Sequence, residues 1–176
     1  MKFRTLPQSD HALIEVRPIT GADIPGWFTL LTDPVVYEHT SWNVQAPEEL
    51  FPHVWSPPTE EASSPTRFAI AERSTGLLVG TVGFHSVSPQ NRSAELAYDL
   101  APPYWGKGIA TYVCGLLTAW AHQSCDVLRV QAAALRSNER SIKVLARCGF
   151  EREGLLRSFR LVRGVPGDFW LYAHVA

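Results

Sequence analysis

Apolar and polar positions alternate over ALIEVR, residues 12 to 17, with the two-residue period of a strand, and Pro18 closes the run. Asp23 then stands as an N-cap before the apolar segment Ile24 to Leu31, and Asp33-Pro34 opens a second short helix. Pro47-Glu48-Glu49 repeats the helix-start signal, its carboxylates in the first turn where the helix dipole favours them. From Ser56-Pro57-Pro58 to Pro65-Thr66 the composition is that of a loop, because proline supplies no amide donor. The period returns to two in RFAIAER, LLVGTVGFHS and RSAELAYDL, separated by Ser74-Thr75-Gly76 and by a polar loop through Ser88-Pro89-Gln90-Asn91. These three runs predict an antiparallel meander. In the last of them Leu96, Tyr98 and Leu100 share one face of the sheet and Glu95, Ala97 and Asp99 the other, before Ala101-Pro102-Pro103 ends it.

Beyond that point Ile109, Val113, Leu116, Leu117 and Trp120 recur at helical spacing, predicting a helix that runs to about Ser124. The run VLRVQAAA, Val127 to Ala134, reads as a strand reached through a helical crossover, which makes it a parallel neighbour of RSAELAYDL. A further helix, from about Asn138, turns Ile142, Leu145 and Ala146 inward and stops at Gly149, a left-handed C-cap. Two closing strands are expected around Phe150 to Glu153 and Asp168 to Val175. The fold class is therefore α/β (α+β). It has a central mixed, mostly antiparallel sheet of about six to seven strands flanked by helices.

With 176 residues and 45% hydrophobic content, the chain can bury the core of one domain, taken as residues 1–176. Sixteen basic residues against 17 acidic ones leave no excess positive charge for a phosphate backbone, so nucleic acid is not an expected partner. No stretch reaches the roughly 20 apolar residues that span a bilayer, and the start MKFRTLP has no secretory apolar run. The expected setting is cytoplasmic, with no membrane partner. Six Trp in this length leave aromatic surface for a pocket or for a subunit contact, a homodimer included. Cys114, Cys125 and Cys148 are widely spaced and lack a CxxC or a nearby His, which predicts free thiols and no metal site.

The turn Trp105-Gly106-Lys107-Gly108-Ile109-Ala110 carries the chemistry. Two glycines just before a helix expose backbone N–H groups at the positive end of the macrodipole, and the missing Cβ atoms let an anion approach. Lys107 adds charge at the rim. A dinucleotide fingerprint would need a third glycine at Thr111 and an acidic residue about 20 positions on, and a P-loop would need GxxxxGK followed by Ser or Thr. Neither pattern is satisfied.

The order strand, PPYWGKGIA, helix, strand, Asn138-Glu139-Arg140-Ser141, helix, Cys148-Gly149-Phe150 resembles the GNAT superfamily of acyl-CoA-dependent N-acetyltransferases. It looks most like the branch of the ribosomal-protein alanine acetyltransferases RimJ and RimL, from LIEVRP to the closing DFWLYAHV. The family's pyrophosphate motif runs Gln or Arg, two residues, Gly, one residue, Gly or Ala; Gly108 and Ala110 match, and Trp105 replaces the leading Gln or Arg. The resemblance implies that acetyl-CoA is the co-substrate, with its pyrophosphate on Trp105 to Ala110. It also implies that the pantetheine arm pairs with backbone near Tyr98, Asp99 and Leu100, where this strand splays from its parallel neighbour. Asn138 is implied to contact the cofactor, and Ser141 to protonate the departing thiolate.

Direct acetyl transfer needs an unprotonated amine, an oxyanion stabiliser and a proton for the thiolate. A lysine side chain, near pKa 10.4, is almost wholly protonated at neutral pH, whereas an α-amine near 7.7 to 8.0 loses its proton with little help. Glu95, on the strand leading to the gap, is placed to accept that proton directly or through water; a solvated strand carboxylate is the plain alternative. A backbone N–H near Tyr98 to Leu100 is the candidate oxyanion donor. Asn138 and Ser141 lie three apart at a helix start, so capping accounts for them equally well. Tyr37, His39, Trp42, Phe51, His53 and Trp55 cluster where the resembling family covers its acceptor, and aromatic burial alone would place them there. His85, inside a strand, stands as a second base or as a structural residue. Two functions follow: an amine N-acetyltransferase acting on a peptide N-terminus or a small molecule, or a sensor that binds acetyl-CoA without transferring it.

Overall fold

The computed structural model describes residues 5–54 and 66–176. The expected loop from Ser56 to Pro65, Trp55 and the first four residues lie outside that range. Seven strands form one sheet in the order β1-β2-β3-β4-β5-β7-β6: β1 Ile14–Pro18, β2 Thr66–Glu72, β3 Leu78–Ser88, β4 Ser93–Leu100, β5 Arg129–Leu135, β6 Glu151–Val162 and β7 Val165–Val175. The helices are α1 Ile24–Thr32, α2 Pro34–Tyr37, α3 Ile109–Ser124 and α4 Glu139–Arg147, with a 3-10 run over Pro47–His53.

Every strand pair is antiparallel except β4 with β5, which the α3 crossover makes parallel. That parallel pairing lasts only from Ser93↔Arg129 to Glu95↔Gln131, although β4 runs on to Leu100 and β5 to Leu135. Beyond Glu95 the two strands part, and the sheet opens as a V. The mixed, splayed sheet expected from the sequence is the one observed.

Alternation along β4 divides the molecule. Leu96 and Leu100 join Val113, Leu117, Trp120, Val130 and Leu145 in the core between the sheet and α3 and α4. Trp120 fills its centre, edge-on to Phe68 and stacked on Phe84. A second cluster under α1 holds Trp27, Leu30, Leu31, Leu50 and Ala69. Gly80 is required where β3 meets β4, because a Cβ there would fall 2.4 Å from the Asp99 carbonyl.

Two local expectations change. Asp23 precedes α1, but its carboxylate receives the guanidinium of Arg17 at 2.8 Å and the Thr20 N–H at 2.8 Å instead of capping that helix. The closing strands are far longer than Phe150 to Glu153 and Asp168 to Val175. They form one hairpin, β6–β7, around Arg163 and Gly164, both at positive φ (51° and 78°). This is the geometry of a two-residue primed turn, with Arg where Asn or Asp is usual, so the turn signal is weak in the sequence. Gly149 behaves as expected: at φ 79° it ends α4, with Phe150 N–H donating to the Leu145 carbonyl at 3.1 Å.

Candidate active site

The open end of the V leads into a cavity of about 350 Å³. Tyr98, Asp99 and Leu100 of β4 form its floor, Trp105, Gly106, Gly108, Ile109 and Ala110 one wall, and Asn138 and Ser141 the other, while α2 and His39 lie across it. Nearly all the residues singled out for the cofactor thus meet in one place. Past Glu95 the edge of β4 that faced β5 has no strand partner among the described residues, which leaves backbone groups there for an extended ligand apart from the Leu100 carbonyl, taken by the Trp105 indole.

The turn before α3 owes its shape to both glycines. Gly106 and Gly108 lie at φ 74° and 77°, and open space surrounds the position where each Cβ would sit. Tyr112 N–H donates to the Gly108 carbonyl at 2.9 Å as the first α-helical bond, which leaves the N–H groups of Ile109, Ala110 and Thr111 without a carbonyl inside α3. These donors sit at the positive end of a 16-residue helix. Trp105 turns its indole N–H back to the Leu100 carbonyl at 2.7 Å, locking the strand end to the turn. Lys107 does not line the cavity; its ammonium rests over the Tyr104 ring at 5.2 Å.

On the opposite wall Asn138 Oδ1 accepts the Ser141 N–H at 3.0 Å, as an N-cap, and Nδ2 donates to the His39 carbonyl at 3.1 Å. One amide therefore fixes both the start of α4 and the segment lying across the groove. The Ser141 hydroxyl is 2.8 Å from that of Tyr98. Burial first, with the nearby thiols Cys114 and Cys148, holds the Tyr98 phenol well above its ordinary range, so it stays protonated. A basic stripe that the motif reading passed over completes this wall: Arg140, Lys143 and Arg147 all line the cavity. Their spacing of three and four was the available signal. The guanidinium of Arg140 stacks 4.2 Å over the Trp105 ring, bridging the two walls.

Glu95 does not line this cavity; it lies on the opposite face of β4 at the point of the V. Its Oε1 accepts from Arg160 Nη2 of β6, and its side chain is 10% exposed. Asp99 likewise gives its carboxylate to that face: Arg67 Nη2 at 2.7 Å, the Thr81 hydroxyl at 2.7 Å and the Thr81 N–H at 3.0 Å. The rings of Trp27, Trp42 and His53 meet edge to face, and Arg67 lies 5.7 Å and 5.3 Å from the two indoles. Burial, with Arg67 and His85 nearby, lowers the His53 pKa. The three cysteines are free thiols, and the described residues contain no group of ligands that would hold a metal ion. No helix of the described residues is long and apolar enough to cross a membrane.

Residues 14–151 match the acetyltransferase (GNAT) domain. The chain belongs to the GNAT family. The uncharacterized N-acetyltransferase YoaA of Bacillus subtilis (strain 168) is 33% identical to it over 109 residues, 62% of each protein. The ribosomal-protein-serine acetyltransferase of Escherichia coli (strain K12) is 30% identical over 98 residues, 56% of this chain and 55% of the relative. The match thus spans about six tenths of those relatives' own length. The crystal structure of the ribosomal-protein-S5-alanine acetyltransferase from Vibrio fischeri superposes with a TM-score of 0.77 at 21% identity, covering 95% of both chains. The fold of this GNAT protein is therefore shared across the whole domain.

Proposed function

We propose that this GNAT protein moves the acetyl group of acetyl-CoA directly to a primary amine, either the N-terminal α-amine of a protein or peptide or that of a small molecule. The observation that carries the reading is the single cavity in which the glycine turn, the free edge of β4 and the Ser141 hydroxyl converge. The residues fit the co-substrate. The turn offers backbone donors and room for a pyrophosphate, Arg140, Lys143 and Arg147 supply positive charge to its phosphates, and the β4 edge can pair with the amides of the pantetheine arm. Asn138 holds the wall against which the arm lies.

A backbone N–H at Tyr98 to Leu100 stabilises the oxyanion formed when the amine nitrogen adds to the thioester carbonyl. As the C–S bond breaks, the Ser141 hydroxyl donates to the thiolate while accepting from Tyr98. Glu95, whose Oε1 accepts from Arg160, offers its second carboxylate oxygen to an N–H of the amine or of a bridging water. Calorimetry with acetyl-CoA, followed by assay of free thiol with amines and N-terminal peptides, tests the proposal. Binding together with amine-dependent thiol release is expected. Binding without release for any amine would turn the reading to the sensor, and no binding would end both.

A further inference from the structure

On the acceptor face of the sheet one histidine is displaced by a fault in the strand. In the β3–β4 ladder Phe84 pairs with Leu96, yet the next pair is Ser86 with Glu95, so His85 is the extra residue of a β-bulge. Phe84 is fully buried in the α3 core and the β3 residues before it are buried from Val79 on, whereas His85 and Ser86 are both exposed. The bulge thereby sets two consecutive side chains against the single residue Glu95.

From this geometry we propose that His85 is the group that takes the proton from the acceptor amine, with Glu95 holding that amine beside it. The inference rests on the acetyl-transfer reading. It assigns a further catalytic residue to it.

Four charged or titratable groups act on the ring: Glu95 from β4, Arg160 from β6, Arg67 from β2 and His53 from the 3-10 run. Partial burial comes first in lowering the imidazole pKa, Arg160 and Arg67 lower it further, and Glu95 opposes them. With a pKa below 6.5 the ring is neutral at pH 7 and keeps one nitrogen lone pair free. Glu95 is differently placed, because its Oε1 is already committed to Arg160. A neutral imidazole is better matched to an α-ammonium near 7.7 to 8.0 than a carboxylate held by a guanidinium.

The step balances. The amine nitrogen bonds to the thioester carbonyl carbon, its N–H proton passes to the free nitrogen of His85, directly or through one water, and the C–S electrons leave on the thiolate beside Ser141. The ring then returns the proton to solvent at its exposed side.

The test compares kcat/KM against pH for wild type, His85→Gln and Arg160→Gln with an α-amine acceptor, alongside calorimetry with acetyl-CoA. Wild type should lose activity on the acid side as the ring protonates, below the ordinary histidine range. In H85Q that acid limb should vanish and the rate should fall roughly 10²- to 10⁴-fold, leaving a profile that follows acceptor deprotonation, while acetyl-CoA affinity stays unchanged. R160Q should move the limb upward, since the guanidinium lowers the ring pKa. An active wild type whose rate and profile H85Q reproduces overturns the role of His85 alone. A wild type that releases no thiol with any amine overturns acetyl transfer, and this role with it.

Discussion

Adjacent residues of β4, Tyr98 and Asp99, show how one short strand serves two faces. Tyr98 points to the cofactor cavity and holds the Ser141 hydroxyl at 2.8 Å, while its neighbour Asp99 turns away to a buried guanidinium. Replacing Ser141 with Ala should lower kcat several-fold or more and leave the acetyl-CoA dissociation constant within about twofold, because in the proposed mechanism the hydroxyl acts on the leaving sulfur and not on the phosphates. An unchanged kcat would remove Ser141 from the mechanism. Asp99→Asn should instead cost stability: Arg67 is 3% exposed and would lose its charge partner, a loss of roughly 3–5 kcal/mol in urea unfolding. A change of a few tenths would show that the pair contributes little. At this scale the sequence told what spacing can tell. Asn138 and Ser141, three apart, were readable as one capping unit, whereas Glu95 and Arg160 are 65 residues apart and no local pattern links them.

Among the elements, those with regular periods were legible and those that break their period were not. The apolar stripe from Ile109 to Trp120 marked α3, and Gly149 marked the end of α4, because helix faces and left-handed caps follow local rules. Two closing strands were expected, but their full length as the β6–β7 hairpin escaped because the strands slip register between Arg152 and Gly154 and again between Leu156 and Arg160, which disrupts the alternation. That hairpin carries Arg160, the partner of Glu95. The basic stripe of α4 was visible at its spacing but takes meaning only once Arg140 is seen against Trp105. At the head of α3, Gly108→Val should weaken acetyl-CoA binding about tenfold or more: a branched side chain is strained at φ 77° and would project into the pyrophosphate site. Calorimetry reads this directly, and an unaltered dissociation constant would move the phosphates elsewhere.

Across the whole molecule, the proposed chemistry depends on the parting of β4 from β5 after Glu95. The parallel pair closes the sheet at one end, and the splay opens it at the other. On one side of β4 lie the glycine turn, α4 and the cofactor cavity; on the other lie Glu95, Arg160 and the bulged His85. Two reactants approaching from opposite faces would meet at the strand between them, which is the proximity that direct transfer requires. The most direct measurement is the fate of an isotopically labelled acetyl group, followed by mass spectrometry after incubation of labelled acetyl-CoA with an α-amine peptide and the protein. The account predicts the label on the peptide nitrogen, with one free thiol released for each acetyl transferred. Label recovered only in acetate or in intact acetyl-CoA would contradict it.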